Sequence, residues 1–248
     1  MSEVLLVTGG GRGIGAATAR LAAQRGYRIA LTFARDAERA ESVVAEIRAQ
    51  HGEAISIQAD VSVEADVVRL FRTVDQKLGT PRVLVNNAGV VDQQKRVEDY
   101  SAERLARMFA VNTIGSILCA REAVRRMSTE RGGRGGAIVN VSSTAARIGS
   151  PGEYVDYAAS KAAIDTFTLG LAKEVASEGI RVNAVRPGII DTELHASGGD
   201  PERAARLSPQ IPMRRAGQAE EVARAILWLA SDDASYTNGA LLDVSGGR

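Results

Sequence analysis

Residues 3–26, EVLLVTGGGRGIGAATARLAAQRG, decide the architecture. Residues 3–7 form a short apolar strand. Thr8 to Gly15, TGGGRGIG, is a glycine loop, and residues 16–26 carry an Ala-rich helical pattern closed by Gly26. Strand, glycine loop and helix, in that order, make the first unit of a dinucleotide-binding fold. Glycines let the backbone approach a pyrophosphate, and the helix N-terminus offers unpaired N–H groups and the positive end of a dipole. Gly9, Arg12, Gly13, Ile14 and Gly15 are therefore candidate contacts to such a ligand. Gly11, Gly13 and Ala16 also satisfy the G-x-G-x-x-A spacing, and the same loop follows from either register.

Outward from this unit the chain keeps alternating. Strands are expected over 28–33, 54–58, 82–85, 137–141, 180–185 and 240–244. Helices are expected over 36–51, 63–78, 101–130, 218–230, and from the region of Tyr157 to Gly179. This predicts an α/β fold of the Rossmann type: a doubly wound, seven-stranded, mostly parallel sheet with helices on both faces. Residues 1–248 read as one domain, without repeat or linker. Residues 189–213, with Gly198, Gly199, Pro201, Pro209 and Pro212, read as an irregular loop of the kind that covers an active site.

The bulk composition excludes several classes. Net charge is +1 with acids and bases interspersed, so neither nucleic acid nor an anionic membrane is an expected partner. No apolar run approaches membrane-spanning length, and the N-terminus lacks the basic start of a signal peptide. The single cysteine, Cys119, forms no intrachain disulfide and reads as buried filler in a reducing compartment. The expected location is the cytoplasm. The two histidines, His51 and His195, do not make a histidine metal site, so no metal is expected.

The end of the second strand is where an acidic residue would grip an adenosine ribose. Phe33 stands there instead, followed by Ala34, Arg35 and Asp36. An arginine at this point suits a 2′-phosphate through its charge and planar donor fork, with Arg12 adding to it. That favours NADP(H), although Asp36 would serve a ribose if the loop shifted by a few residues. Asp60, just past the third strand and followed by Val61, reads equally as an acceptor for an adenine amino group and as a loop or capping acid. Asn86-Asn87-Ala88-Gly89 follows the fourth strand and fits a cofactor-lined crevice or asparagines tying loops together.

The chemistry centres on residues 140–161, NVSSTAARIGSPGEYVDYAASK. Tyr157 and Lys161 stand four apart on a helix and so share a face. A nearby ammonium favours the phenolate and pulls the phenol pKa down from about 10, toward that of a usable general acid or base. Ser142 and Ser143 end the preceding strand, and strand alternation points them in opposite directions. Asn112 interrupts the apolar face of the long 101–130 helix.

These motifs, in this order and spacing, resemble the short-chain dehydrogenase/reductase family, in particular its bacterial glucose-dehydrogenase-like members. The resemblance covers essentially the whole chain. Thr8-Gly9-x-x-x-Gly13-x-Gly15 is similar to the family's cofactor loop, and Asn86-Asn87-Ala88-Gly89 to its NNAG motif. Asn112, Ser143, Tyr157 and Lys161 fall at its catalytic tetrad, with the pattern selecting Ser143 over Ser142. Pro187, Gly188, Ile190 and Thr192 match its segment beside the nicotinamide. The resemblance implies that Tyr157 exchanges a proton with the substrate oxygen and Ser143 donates to that oxygen. It implies that Lys161 tunes Tyr157 and binds the nicotinamide ribose, while Asn112 holds a water leading to solvent. Between Ser143 and Tyr157 lies one residue more than in the fatty-acid-type reductases, so a bulge is expected there.

Three functions follow. The first is NADP(H)-dependent interconversion of a carbonyl and a secondary alcohol on a small polar or sugar-like molecule. The second is reduction of a 3-oxoacyl carrier-protein thioester, with Arg125, Arg126, Arg131 and Arg134 as docking charges and Glu178 opposing them. The third is a non-catalytic nucleotide-sensing protein. The substrate pocket is expected between Ile148, Gly149, Glu153, Gly188 and residues 193–213, with His195 near a substrate hydroxyl. Glu153 would favour a neutral polyol or a cation. Small residues Ala158, Ala159, Ala162, Ala163 and Gly170 permit close helix approach, and the family resemblance implies a homotetramer.

Overall fold

A computed structural model describes residues 2–248, apart from the side chain of His195. The strands are β1 (Val4–Val7), β2 (Arg28–Phe33), β3 (Ala54–Gln58), β4 (Pro81–Asn86), β5 (Gly136–Val141), β6 (Ile180–Pro187) and β7 (Leu241–Val244). They form one sheet in the order β3-β2-β1-β4-β5-β6-β7. Every neighbouring pair is parallel, so the sheet is wholly rather than mostly parallel. A parallel sheet must be covered on both faces, and β1 shows how. Leu5 and Val7 pack with α1 (Gly13–Gln24), α2 (Ala37–Ala49) and the late helix α10 (Ala219–Ala230). Val4 and Leu6 pack with α3 (Glu64–Lys77), α5 (Ser116–Met127) and α7 (Val155–Glu174). Cys119 is fully buried in the second layer, where burial raises its thiol pKa to about 12.

The strand order turns at β1, which has β2 on one side and β4 on the other. In an open parallel sheet that switch point leaves a crevice beyond the carboxyl ends of the strands. The glycine loop after β1 and residues 87–89 after β4 both open into it.

Three local expectations change. The 101–130 helix is not continuous. It runs as α4 (Ala102–Phe109), a π turn (Ala110–Gly115) and α5. A π turn inserts one extra residue, and it coincides with two constraints. The Asn112 side chain bonds both backbone groups of Val90, accepting from its N at 2.8 Å and donating to its O at 3.0 Å. Gly115 lies against Val61, where a Cβ would come within 2.7 Å of Cγ2. The expected bulge between Ser143 and Tyr157 is taken up by a short helix, α6 (Ala145–Ile148), and a turn with Gly149 and Gly152 at positive φ. Residues 189–213 contain two further short helices, α8 (Leu194–Ser197) and α9 (Arg203–Leu207). No helix among the described residues is long and apolar enough to cross a membrane.

Candidate active site

The glycine loop turns at Gly9 and Gly13, both at positive φ (66° and 51°), a region that glycine enters without strain. Gly15 serves a different purpose. A Cβ there would stand 2.4 Å from the Gly9 carbonyl oxygen and 2.5 Å from Asn87 Nδ2, so it packs behind the loop and does not line the crevice. Asn87 closes the loop from the other side, donating to the carbonyl oxygens of Thr8 (2.9 Å) and Gly9 (3.0 Å). Thr8 Oγ1 accepts from the backbone N of both Asn87 and Ala88 at 3.0 Å. The asparagine therefore ties loops together at the edge of the crevice, and the two readings of this motif hold at once.

A cavity of about 650 Å³ occupies the crevice. It brings together Gly9, Arg12, Gly13, Ile14, Arg35, Asp60, Val61, Asn87, Ala88, Gly89, Ser143, Tyr157, Lys161, Pro187, Gly188, Ile190 and Thr192, all singled out from sequence. The segment after β6 is held along the wall by bonds to Gly217, from Asp191 N to its O and from its N to Ile189 O, each 2.9 Å. Thr192 reaches over the glycine loop, its methyl 3.3 Å from where a Cβ of Gly13 would sit.

One end of the cavity is cationic. Arg35 is exposed and has no partner among the described residues. Arg12 Nη1 donates to Ser197 Oγ at 3.2 Å. A third arginine, Arg39 in the first turn of α2, was not among the residues read from sequence. Asp36 accepts from Arg39 N at 3.1 Å as the cap of α2, and its other oxygen lies 3.2 Å from Arg39 Nε. Both Asp36 oxygens are thus in contact with Arg39. Asp60 uses one oxygen, Oδ1, as a turn acid, accepting from the N (2.9 Å) and Oγ (2.6 Å) of Ser62, and it also lines the cavity.

The other end holds Ser143, Tyr157 and Lys161. The two serines diverge as alternation requires. Ser142 is buried and donates to the Lys161 carbonyl oxygen at 3.1 Å. Ser143 Oγ accepts from Ala145 N at 3.1 Å and shares a hydrogen bond with the Tyr157 phenol. Lys161 Nζ donates to the Val141 carbonyl oxygen at 2.8 Å and lies 5.8 Å from the centre of the Tyr157 ring. Burial lowers the Lys161 pKa to about 8, with Asp165 opposing. Burial also raises the Tyr157 pKa, against the pull of a hydrogen bond with Ser143. The expected depression of the phenol is therefore corrected for the chain alone: burial of Tyr157 outweighs the Ser143 hydrogen bond. Asn112 lies just outside the cavity wall. Its Oδ1 and Lys161 Nζ stand 3.4 and 3.5 Å from a Cβ position at Gly89.

Glu153 and Gly149 are not brought into the cavity. Glu153 Oε2 accepts from Arg203 Nη2 at 2.5 Å, and this hydrogen bond holds its pKa below the usual range. Its charge is paired with Arg203 of α9. Ile148 is exposed, and the His195 side chain lies outside the described residues. Glu193 and Leu194 come from the expected 193–213 loop, whereas Arg39, Val90, Arg107 and Val111 are among the lining residues that sequence reading missed. Only Arg39 carried a signal, as a basic residue three places after a capping aspartate. The others reach the cavity through long-range packing.

The comparisons with known proteins agree with this geometry. A family described as Enoyl-(Acyl carrier protein) reductase matches residues 9–248. The chain is 56% identical over 245 residues to the uncharacterized oxidoreductase YgfF of Escherichia coli K12, covering 99% of each. A solved short-chain dehydrogenase/reductase from Serratia marcescens superposes with a TM-score of 0.90 at 35% identity, covering 99% of this chain and 97% of that one. The chain belongs to the short-chain dehydrogenase/reductase family. As a short-chain dehydrogenase/reductase it is an oxidoreductase acting on carbonyl or alcohol groups with NAD(P). A 3-oxoacyl-[acyl-carrier-protein] reductase from Synechocystis is 39% identical over 251 residues, covering 99% of this chain and 96% of that protein.

Proposed function

We propose that this short-chain dehydrogenase/reductase is an NADPH-dependent reductase of a small polar or sugar-like carbonyl, with Tyr157 as the proton donor. The observation that carries the reading is one cavity joining an arginine-lined end to Ser143, Tyr157 and Lys161. The residues fit a dinucleotide. Gly9 and Gly13 turn the loop at the cavity wall, and Arg12, Arg35 and Arg39 offer donor forks for a 2′-phosphate. Val61, Asn87, Ala88, Gly89, Pro187, Gly188, Ile190 and Thr192 would line its length, with Lys161 at the nicotinamide ribose. Bound there, NADP(H) supplies the hydride exchanged with the substrate carbon.

The chain's own residues manage the proton. Ser143 Oγ donates to the substrate oxygen and orients it. Tyr157 Oη gives its proton to that oxygen as the carbonyl becomes an alcohol, and oxidation runs the same transfer backwards. A phenol pKa raised by burial keeps the proton on Tyr157 near neutral pH, the state that reduction needs. Asn112, fixed to Val90, would hold a water on the path that resupplies Lys161. Fluorescence titration with NADPH and NADH, on the native chain and Arg35→Ala, tests the cofactor assignment. NADPH preference that collapses in the variant is expected; equal binding or NADH preference would overturn it.

A second reading, reduction of a 3-oxoacyl carrier-protein thioester, draws support from relatives bearing that name at 36–39% identity. Two of its four docking arginines are already paired, Arg125 with Glu122 and Arg126 with Glu122 and Asp75. Comparing turnover of an acetoacetyl thioester with that of small sugar ketones separates the two. Exposed Leu105, Ile114, Ile117 and Leu169 on α4, the π turn, α5 and α7 support homotetramer assembly, which light scattering would test.

A further inference from the structure

Arg104, in α4, is 7% exposed, yet its guanidinium reaches three separate segments. Nε donates to Asp156 Oδ2 at 2.6 Å and Nη2 to Asp156 Oδ1 at 3.2 Å. Nη1 donates to the Gln93 carbonyl oxygen at 2.6 Å. The plane lies 4.3 Å over the Tyr100 ring, whose hydroxyl accepts from Val155 N at 3.1 Å. Asp156 Oδ1 also accepts from Tyr157 N at 2.9 Å.

The same helical face grips the connection after β4 at successive points. Arg104 holds Gln93, Arg107 pairs with Asp92, and Asn112 holds both backbone groups of Val90. Positions 104, 107–108 and 112 stack along one side of the helix. Val90 and Arg107 line the cavity. The wall beside the reacting end and the first turn of α7 are therefore joined through one side chain.

We infer that Arg104 is a positioning residue for the reaction: by joining Asp156 to Gln93 it holds Tyr157 in register with the 90–93 segment, whose Val90 lines the cavity. The inference rests on the proposed role of Tyr157. Only a planar fork satisfies a carboxylate and a carbonyl at once; a lysine would lose the bidentate geometry. Stability alone does not require the pair, because a buried ion pair replaced by apolar residues of similar volume is often no less stable.

The decisive variant is Arg104→Met/Asp156→Leu, with Arg104→Lys beside it. Four readouts apply: melting temperature, NADPH titration, hydrogen exchange of peptides covering 90–93 and 155–158, and the tyrosinate absorbance titration of Tyr157. The last is taken as the difference from the same chain carrying Tyr157→Phe. A folded variant is expected to bind NADPH within about twofold of the native chain. It should exchange about tenfold faster in both segments together and show a displaced Tyr157 titration. Native exchange in either segment, or an unchanged phenol titration in a folded variant, would overturn the inference. Should both variants lose the fold, Asp156→Asn reads the same two segments while keeping an acceptor for Tyr157 N. If Tyr157→Phe leaves turnover intact, the role of Tyr157 falls, while the coupled exchange still reports on Arg104.

Discussion

Arg39 and Glu193 meet at the mouth of the cavity, Nη1 to Oε1 at 3.2 Å, so a residue of the segment leading into α8 neutralises one of the three arginines at the cationic end. Both side chains are about half exposed, and such a pair is worth roughly 0.2–1 kcal/mol. A phosphate arriving at Arg39 competes with this carboxylate. Glu193→Gln is expected to tighten NADPH binding by about two- to fivefold and leave NADH binding unchanged. An equal change for both nucleotides would place Glu193 elsewhere in the recognition.

Tyr157→Phe removes the phenolic proton and little else. Turnover is expected to fall by about 10²–10⁴, the usual worth of a general acid. NADPH titration should be unaltered. Retained turnover would eliminate the acid–base assignment.

Lys161 carries a pH signature in the cofactor-free chain. Burial lowers its pKa from 10.5 to about 8. Below pH 8 the lysine is charged in both folded and unfolded chains, and its burial costs on the order of 3 kcal/mol. Between pH 8 and 10.5 the folded chain releases the proton while the unfolded chain retains it, so stability rises with pH across that window. Lys161→Met lacks the penalty. Its melting temperature should exceed that of the native chain at pH 7, and the gap should narrow by pH 9.5. A gap independent of pH would refute the buried-lysine account.

Gly15→Ala tests the cradle. Its Cβ would meet the Gly9 oxygen and Asn87 Nδ2 at 2.4–2.5 Å, and both belong to the loop that ties β1 to β4. A loss of about 1–3 kcal/mol in stability is expected, with NADPH binding falling alongside. Native stability would mean that the loop relaxes freely.

The sheet was legible because its signals are local. β2 and β3 have the bounds read from their sequence runs, since a single alanine and then charged residues follow each, Ala34-Arg35-Asp36 and Ala59-Asp60. The glycine loop was legible because glycine is chosen for contacts that a Cβ forbids, and Gly9, Gly13 and Gly15 each show one reason. The π turn at Ala110–Gly115 was not legible. It coincides with the reach of Asn112 to Val90, 22 residues away, and neither segment announces the other. The pairing of Glu153 was not legible for the same reason: nothing near it in sequence reveals Arg203.

The sequence alone therefore determined the doubly wound sheet, the crevice at its switch point and the residue types that meet there, because strand periodicity, glycine and i,i+4 spacing act over a few residues. Only the tertiary structure decided which charges remain free. Asp36, Glu153 and two of the arginines at the carboxyl end of α5 are spent on partners, whereas Arg35 is not. It also decided the direction in which burial moves the Tyr157 and Lys161 pKa values. Desolvation depends on everything packed around a group, and no local pattern encodes that sum.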